Sequence, residues 1–353
     1  MNPDDYVHYL AFEHSPEFDF LATTEGRAEK WQNAFASRLL GLLGINRIAQ
    51  RAPDIPSARL LSTVLTPDHV REEWAMETEP GRHVPFYILL PLNRSGRLPL
   101  VLTPHGHGEQ GRAEYAGVWE SEEHRERVTA DELDVAVQAV RQGYIALAPE
   151  MRGFGGSRRA EEIASGANHS CRTMQMHALL FGRTLVGERV WDVQRLLGWA
   201  LDRDDVDPTA VVITGNSSGG TVSLFTAAVD PRIRVCVPVC YYGYFESSIG
   251  SIHHCECNYI PGLLAAGEAP EVAGLIAPRH FRAVNGRDDP IFPIAATEAA
   301  YERLRAIYGV WGAEDRCSLY VAEGGHRYYS DCVWSFVRSA LDDIAADAAS
   351  NDD

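Results

Sequence analysis

Short apolar runs alternate with amphipathic segments along most of this chain, from about residue 80 to residue 346. The runs are rich in Val, Ile and Leu, and the segments between them carry apolar residues at helical spacing. This alternation predicts a mostly parallel sheet with helices on both faces. The predicted strands are 84–90, 98–103, 144–148, 210–214, 233–237, 280–284 and 318–321. The predicted helices are 131–141, 190–201, 218–228, 295–307 and 331–346.

The first part of the chain follows a different pattern. Apolar residues from Phe35 to Leu43 recur at helical spacing, and Gly44 can end such a helix. We therefore predict a helical N-terminal extension over residues 1–70, an α/β domain over 71–346 and an acidic tail over 347–353. The helical extension either covers the ligand pocket of the domain or forms the contact of a homodimer.

Composition and charge narrow the class of protein. Of the 353 residues, 45% are apolar and 23% are charged, which is ordinary globular usage and argues against disorder. The formal net charge is −17 and no basic patch opposes it, so we expect neither nucleic acid nor an anionic membrane as a partner. The acidic start of the chain lacks the pattern of a secretion signal. Seven cysteines at low density favour free thiols, and together these features predict a cytoplasmic protein.

One serine stands in a motif that is typical of a nucleophile. Residues 215–219 read Gly-Asn-Ser-Ser-Gly, which fits G-x-S-x-G between a predicted strand and a predicted helix. In that setting a sharp turn exposes the serine hydroxyl, and side chains at Gly215 or Gly219 would collide with the neighbouring strand and helix. The motif predicts Ser217 as the nucleophile. The alternative is a serine-capped helix that follows a glycine turn.

A serine nucleophile needs a base and an acid that orients the base, and in this arrangement the acid and then the histidine follow the serine along the chain. Loops after two later predicted strands supply both residue types. We predict His326 as the base and Asp289, which directly precedes Pro290, as the acid. Asp288 stays open as an alternative acid, and Glu150 is a third candidate.

The developing oxyanion needs two backbone N–H donors. We expect one from Ser218, the residue after the nucleophile, and the other from His107, in the glycine-containing loop 105–108 after an early strand.

Other residues near the predicted strand ends could shape a substrate pocket. His253–Cys257 contains histidine and cysteine, but its spacing fits no standard zinc framework, so no metal is expected. We predict instead that His254 and Cys257, together with Tyr241, belong to a pocket wall. Arg152 is a candidate for binding an anionic group of the substrate, with a structural ion pair as the alternative.

Together these motifs resemble the α/β-hydrolase superfamily, and more narrowly its acetyl-xylan-esterase and dienelactone-hydrolase-like branch. The segments that carry the resemblance are 105–108, 149–155, 185–193, 215–219, 253–264, 286–289 and 325–326. It covers roughly residues 70–345. The resemblance implies the α/β-hydrolase fold with an eight-stranded sheet, a Ser-Asp-His triad and no cofactor.

The predicted function is therefore that of a serine hydrolase. Its expected substrate is a carboxylic ester, with an acetyl or other short acyl group on a small molecule or sugar, cleaved through an acyl-enzyme. The same triad could act on a lactone, thioester or amide, transfer an acyl group, or cleave a C–C bond, because one fold hosts many chemistries. A non-catalytic binding protein on this fold is the remaining alternative.

Overall fold

The computed structural model describes residues 6–13, 15–52 and 57–351. Within them, nine strands form one sheet in the order β1-β2-β3-β5-β4-β6-β7-β8-β9. The strands are β1 Ser57–Leu65, β2 His69–Glu79, β3 Arg82–Pro91, β4 Leu98–Leu102, β5 Ile145–Pro149, β6 Val206–Asn216, β7 Val235–Val239, β8 His280–Gly286 and β9 Cys317–Ala322. The pairs β1–β2, β2–β3 and β3–β5 are antiparallel, and all pairs from β5 to β9 are parallel.

Fourteen α-helices occur in the described part of the chain. They are α1 Tyr6–Glu13, α2 Glu25–Leu43, α3 Ile45–Ala49, α4 Arg112–Tyr115, α5 Glu122–Ala130, α6 Val135–Arg141, α7 Ala160–Ala164, α8 Cys171–Leu180, α9 Leu185–Leu201, α10 Ser218–Val229, α11 Leu263–Ala266, α12 Ala269–Gly274, α13 Ile294–Gly309 and α14 Ser330–Asn351. Among the described residues, no helix combines the length and the apolarity that crossing a membrane requires.

The prediction of a mostly parallel sheet is confirmed, but the expected count of eight strands is wrong. All seven strands predicted from the sequence are present, and the hairpin β1–β2 adds an antiparallel edge. Most side chains of β1 are exposed, so this strand carries no buried apolar run for the pattern to detect. The helix predicted over 131–141 starts only at Val135, because Glu132 has a positive φ of 57° that no helix accommodates.

The N-terminal extension is helical over a shorter stretch than predicted. Helix α3 ends at Ala49, and residues 57–65 belong to the sheet. Phe35, Leu39 and Leu43 of α2 are fully buried in the same core as the central strands. The predicted acidic tail is also revised, since α14 runs to Asn351, while Asp352 and Asp353 lie outside the described residues.

Two apolar cores cover the two faces of the sheet. On β6, Val211 and Ile213 belong to one core and Val212 belongs to the other, as the alternation of side chains along a strand requires. Because β4, β6, β8 and β9 run parallel, the loops after their carboxyl ends meet along one edge of the sheet. Those loops carry the predicted triad and the residues expected to supply the oxyanion donors.

Candidate active site

Ser217 occupies a strained turn between β6 and α10. Its φ of 56° and ψ of −119° lie outside the regions that L-residues ordinarily adopt. A Cβ atom at Gly215 or Gly219 would lie 2.2 or 2.1 Å from the carbonyl oxygen of Pro104, so only glycine fits at either position. The predicted steric role of both glycines is therefore found, although the closest obstacle is the loop after β4.

His326 and Asp289 form a hydrogen-bonded pair at the ends of β9 and β8. Nδ1 of His326 lies 2.8 Å from Oδ2 of Asp289, whose Oδ1 accepts a hydrogen bond from the N–H of Ile291 at 2.9 Å. Burial alone would raise the pKa of Asp289, but the hydrogen bond and charge of His326 and the Ile291 N–H lower it overall. Asp288 is exposed, so the geometry favours Asp289 as the acid partner.

Ser217 and His326 line the same cavity, which has a volume of about 220 Å³. The loop after β4 forms another wall, because a Cβ atom on Gly106 would lie 3.6 Å from Cβ of Ser217. No residue of α1, α2 or α3 in the described chain lines this cavity, which argues against the N-terminal helices as its cover. The lining residues are His105, Gly106, His107, Gly108, Gly111, Glu114, Tyr115, Leu133, Asn216, Ser217 and His326.

Both residues expected to supply oxyanion donors lie at the site, Ser218 next to the nucleophile in the chain and His107 in the cavity lining. Ser218 is the first residue of α10, so its N–H has no acceptor within the helix, and the positive end of the helix dipole lies there. His107 belongs to the loop that walls the cavity. In the described part of the chain, neither N–H donates a hydrogen bond to another backbone group. Their role as an oxyanion hole stays a prediction.

Tyr115 is a site residue that the sequence analysis missed. Tyr115 is buried and lines the cavity, and its hydroxyl accepts a hydrogen bond from the N–H of Asn216 at 3.2 Å. Burial raises the pKa of Tyr115, while the backbone N–H groups of Asn216 and Gly106 act in the opposite direction. Tyr115 therefore connects the nucleophile turn to the loop after β4. No motif marks it, because its partners are backbone groups distant in sequence.

Glu150 contacts His105 in the loop after β4 and is not the partner of His326. Its Oε1 lies 3.1 Å from Nε2 of His105, and its side chain is buried. A Cβ atom at Gly111 or Gly155 would lie 2.3 or 2.5 Å from the same carboxylate oxygen, so two glycines make room for it. The third candidate for the acid is thus excluded by position.

Arg152 does not face the cavity, which corrects its assignment to the substrate pocket. Its guanidinium donates to Asp192 at 2.6 and 2.7 Å, to Glu79 at 2.8 Å and lies 3.1 Å from Glu188. Burial would lower the pKa of Arg152, but these carboxylates raise it. The alternative interpretation, a structural ion pair, is the one that the geometry supports.

Tyr241 and His254 lie near the site but outside the lining of the 220 Å³ cavity. Tyr241 is buried, and its ring packs against Phe292, which in turn stacks on His326 with ring centroids 6.5 Å apart. Burial lowers the pKa of His254, and the charges of His107 and His326 act in the same direction. Contact of Tyr241 or His254 with a substrate stays a prediction.

Cys257 lies in a cluster of sulfur atoms rather than in an open pocket wall. Nε2 of His107 is 3.3 Å from Sγ of Cys255, 3.5 Å from Sγ of Cys171 and 3.8 Å from Sγ of Cys257. All four ligand atoms lie within 4.8 Å of one another. We refer to these four residues as the thiol cluster. The sequence analysis did not assemble it, because its members come from three separate segments.

The sheet, the strained serine after a central strand and the hydrogen-bonded pair of His326 with the buried Asp289 define an α/β-hydrolase. The chain belongs to the Abhydrolase family, whose model matches residues 6–243. The match includes the N-terminal helices, so the likeness to the family begins before residue 70, where the resemblance seen in the sequence begins. It ends before Asp289 and His326, whose places are known here from the structure.

Individual relatives agree with this assignment. The chain is 28% identical over 309 residues to the putative hydrolase YtaP of Bacillus subtilis, covering 85% of this chain and 94% of the relative. The fold is similar to that of a putative acetyl xylan esterase from Bacteroides fragilis, with a TM-score of 0.80, 17% identity and coverage of 96% and 95% of the two chains. It is also similar to a glucuronoyl esterase from Teredinibacter turnerae, with a TM-score of 0.65, 14% identity and coverage of 94% and 90%.

Proposed function

We propose that this hydrolase is a serine esterase that cleaves a short acyl ester of a polar alcohol. The observation that carries the proposal is the hydrogen bond between Asp289 and His326 at the cavity that Ser217 lines. A serine and an imidazole at one cavity, with a carboxylate hydrogen-bonded to that imidazole, supply a nucleophile, a base and an orienting group. The structures similar in fold include proteins described as esterases, which supports the choice of substrate class.

In the proposed mechanism, Oγ of Ser217 attacks the ester carbonyl while His326 accepts its proton. The buried carboxylate of Asp289 holds the imidazole by its Nδ1–H and stabilises the imidazolium that forms. His326 then gives the proton to the leaving alcohol, which leaves an acyl group on Ser217. Water, deprotonated by His326, releases the acid and restores the hydroxyl.

The N–H groups of His107 and Ser218 would stabilise the tetrahedral intermediate. Each donor of this type contributes about 3 kcal/mol of transition-state stabilisation in a site that excludes water. The strained backbone at Ser217 supports this role, since it holds the hydroxyl at the N-terminus of α10, where negative charge is favoured.

The cavities support a small acyl group and a polar alcohol. The cavity at Ser217 holds about 220 Å³, whereas pockets for drug-sized ligands hold roughly 300–1,000 Å³. A second, open cavity of about 730 Å³ shares His107 and Glu114 with the first. Its lining includes Glu120 and Glu123, so its surface is acidic and rich in hydrogen-bond acceptors. Such a surface suits a neutral, hydroxyl-rich alcohol such as a sugar and disfavours an anionic one.

Replacement of Ser217 tests the proposal. We expect Ser217→Ala to abolish turnover of 4-nitrophenyl acetate and labelling by a fluorophosphonate, while Ser165→Ala, at an exposed serine, keeps both. Wild-type turnover should decrease from acetyl to octanoyl esters, because the first cavity is small. An acetylated sugar should yield acetate and free alcohol in equal amounts. Unchanged hydrolysis by pure Ser217→Ala, or an acyl-transfer product in place of the free acid, would contradict the proposal.

A further inference from the structure

The thiol cluster has the composition and spacing of a metal site. It joins His107 in the loop after β4, Cys171 at the start of α8, and Cys255 and Cys257 in the segment between β7 and β8. From this arrangement we infer that the protein binds one structural Zn²⁺ ion through three cysteine sulfurs and Nε2 of His107. The inference replaces the expectation, drawn from the spacing of residues 253–257 alone, that the protein holds no metal.

The distances fit a tetrahedral zinc ion. With metal–sulfur bonds of about 2.3 Å and metal–nitrogen bonds of about 2.0 Å, the edges of the tetrahedron are about 3.5 Å for nitrogen to sulfur and about 3.8 Å for sulfur to sulfur. The three edges from His107 measure 3.3, 3.5 and 3.8 Å, close to the expected nitrogen-to-sulfur edge. Sγ of Cys255 lies 3.3 Å from Sγ of Cys257, which is shorter than the expected sulfur-to-sulfur edge, so these two sulfurs would move apart when the ion binds. Three sulfurs and one imidazole nitrogen are a common ligand set for structural zinc.

A buried cation beside the cluster supplies the matching charge. Arg189 is 1% exposed, and its guanidinium contacts the carbonyl of Arg152 at 2.7 and 2.9 Å, Oγ of Ser218 at 3.1 Å and the ring of Phe154. It also lies against the thiol cluster, with Sγ of Cys171 at 3.5 Å and a further contact to Cys257. A Zn²⁺ ion with three thiolates and a neutral imidazole carries a net charge of −1. The guanidinium balances that charge on the buried side of the cluster, next to Cys171.

The ion would act as a clamp rather than as a catalyst. Four protein ligands complete the tetrahedron and leave no open position for water or substrate. When zinc binds, the three thiol protons pass to solvent and no redox change occurs. The clamp ties together three segments that meet beside the nucleophile. Through His107 and through the contact of Arg189 with Ser218, it reaches both residues that carry the expected oxyanion donors.

Metal analysis of the full-length protein tests the inference. We expect protein purified from zinc-supplemented cultures, without chelators, to contain about one zinc ion per chain, with X-ray absorption showing three sulfur neighbours at about 2.3 Å and one nitrogen at about 2.0 Å. Cys171→Ser and Cys257→Ser should lose the zinc, and His107→Ala should lose the nitrogen neighbour. Cys332→Ser is the matched control, because Cys332 is a buried thiol in the opposite core.

Several outcomes would overturn the inference. Zinc could be absent from the wild type and fail to bind after reduction and reconstitution with Zn²⁺, or it could bind equally to the Cys171→Ser and Cys257→Ser variants. A disulfide among the three cysteines in freshly isolated, zinc-free protein would replace the metal site by a redox pair. Reconstitution of the wild type with Co²⁺ gives a second readout that does not depend on whether a variant folds. We expect a thiolate-to-cobalt charge-transfer absorption band, and its absence would contradict the inference. None of these measurements depends on esterase activity, so this inference and the Ser217 proposal can fail separately.

Discussion

Oδ2 of Asp289 lies 2.8 Å from Nδ1 of His326, although 37 positions separate the two residues in the chain. The pairing of β8 with β9 explains the contact, because Gly286 lies opposite Ala322 at the ends of the two parallel strands. Asp289 and His326 follow those ends within a few residues, and Asp289 is held by backbone N–H groups of its own loop.

Replacement of Asp289 should reduce catalysis far more than replacement of its neighbour. We expect Asp289→Asn to lower kcat about 10⁴-fold, because the amide no longer holds His326 in the orientation and tautomer that accept a proton. The control is Asp288→Asn, at an exposed position, which should retain nearly all activity. Steady-state kinetics on an acetyl ester measures both, and the reverse ranking would show that Asp288 is the acid.

The lowered pKa of Asp289 predicts how stability depends on pH. Because the folded-state pKa of Asp289 lies below the usual value of 3.8, its ionised carboxylate stabilises the fold above that pH. This contribution is lost as the pH falls from about 3.8 through the folded-state pKa. The difference in unfolding free energy between wild type and Asp289→Asn should therefore be constant above pH 5 or so and shrink below pH 4 or so. Denaturant titrations across this range measure it, and a difference that grows towards low pH would contradict the sign.

Tyr115 should matter for turnover more than for substrate binding. Tyr115→Phe removes the oxygen that accepts the N–H of Asn216, and an unmade buried hydrogen bond costs about 1–3 kcal/mol. If that loss shifts the nucleophile turn, kcat should fall by roughly ten- to a hundredfold with little change in KM. Tyr144→Phe, in the same core, is the control. A fall in thermal stability alone, with kcat unchanged, would reduce Tyr115 to a packing role.

Gly219, two residues after the predicted nucleophile, should tolerate no side chain. In Gly219→Ala the new Cβ would lie 2.1 Å from the carbonyl oxygen of Pro104, and relief of that clash would move the loop after β4 away from Ser217. We expect a loss of stability of about 1–3 kcal/mol or more, together with loss of esterase activity. Gly156→Ala, where a Cβ meets open space, should leave stability and activity close to wild type. Thermal unfolding measures the stability of both variants, and steady-state kinetics measures their esterase activity. Wild-type stability and activity in Gly219→Ala would contradict the prediction.

Arg152 should contribute to stability without contributing to substrate binding. Arg152→Gln leaves Asp192, whose side chain is fully buried, without its bidentate partner, and breaking a buried pair costs about 3–5 kcal/mol. The matched exposed pair is Arg125 with Glu122, and Arg125→Gln should cost about 1 kcal/mol or less. A raised KM for an anionic ester, at unchanged stability, would restore the substrate-binding interpretation.

Much of the fold could be predicted from the sequence, because buried strands and amphipathic helices leave periodic apolar patterns. The hairpin β1–β2 escaped prediction, since an edge strand with exposed side chains is held by backbone pairing that leaves no such pattern. Ser217 could be located from its motif, because the steric demand on Gly215 and Gly219 is local and is therefore written in adjacent positions.

Contacts between distant segments were decided by the tertiary structure alone. The sequence by itself indicated which residues can react, and it placed Ser217, Asp289 and His326 after the ends of three predicted strands. Only the tertiary structure shows that Asp289, and not Asp288, contacts His326. It also shows that Arg152 pairs with carboxylates away from the cavity. The thiol cluster, too, forms only when its separate segments pack together. The physical reason is that steric constraints act between residues close in sequence and so leave local motifs. Contacts between residues far apart in sequence depend instead on sheet register and helix packing.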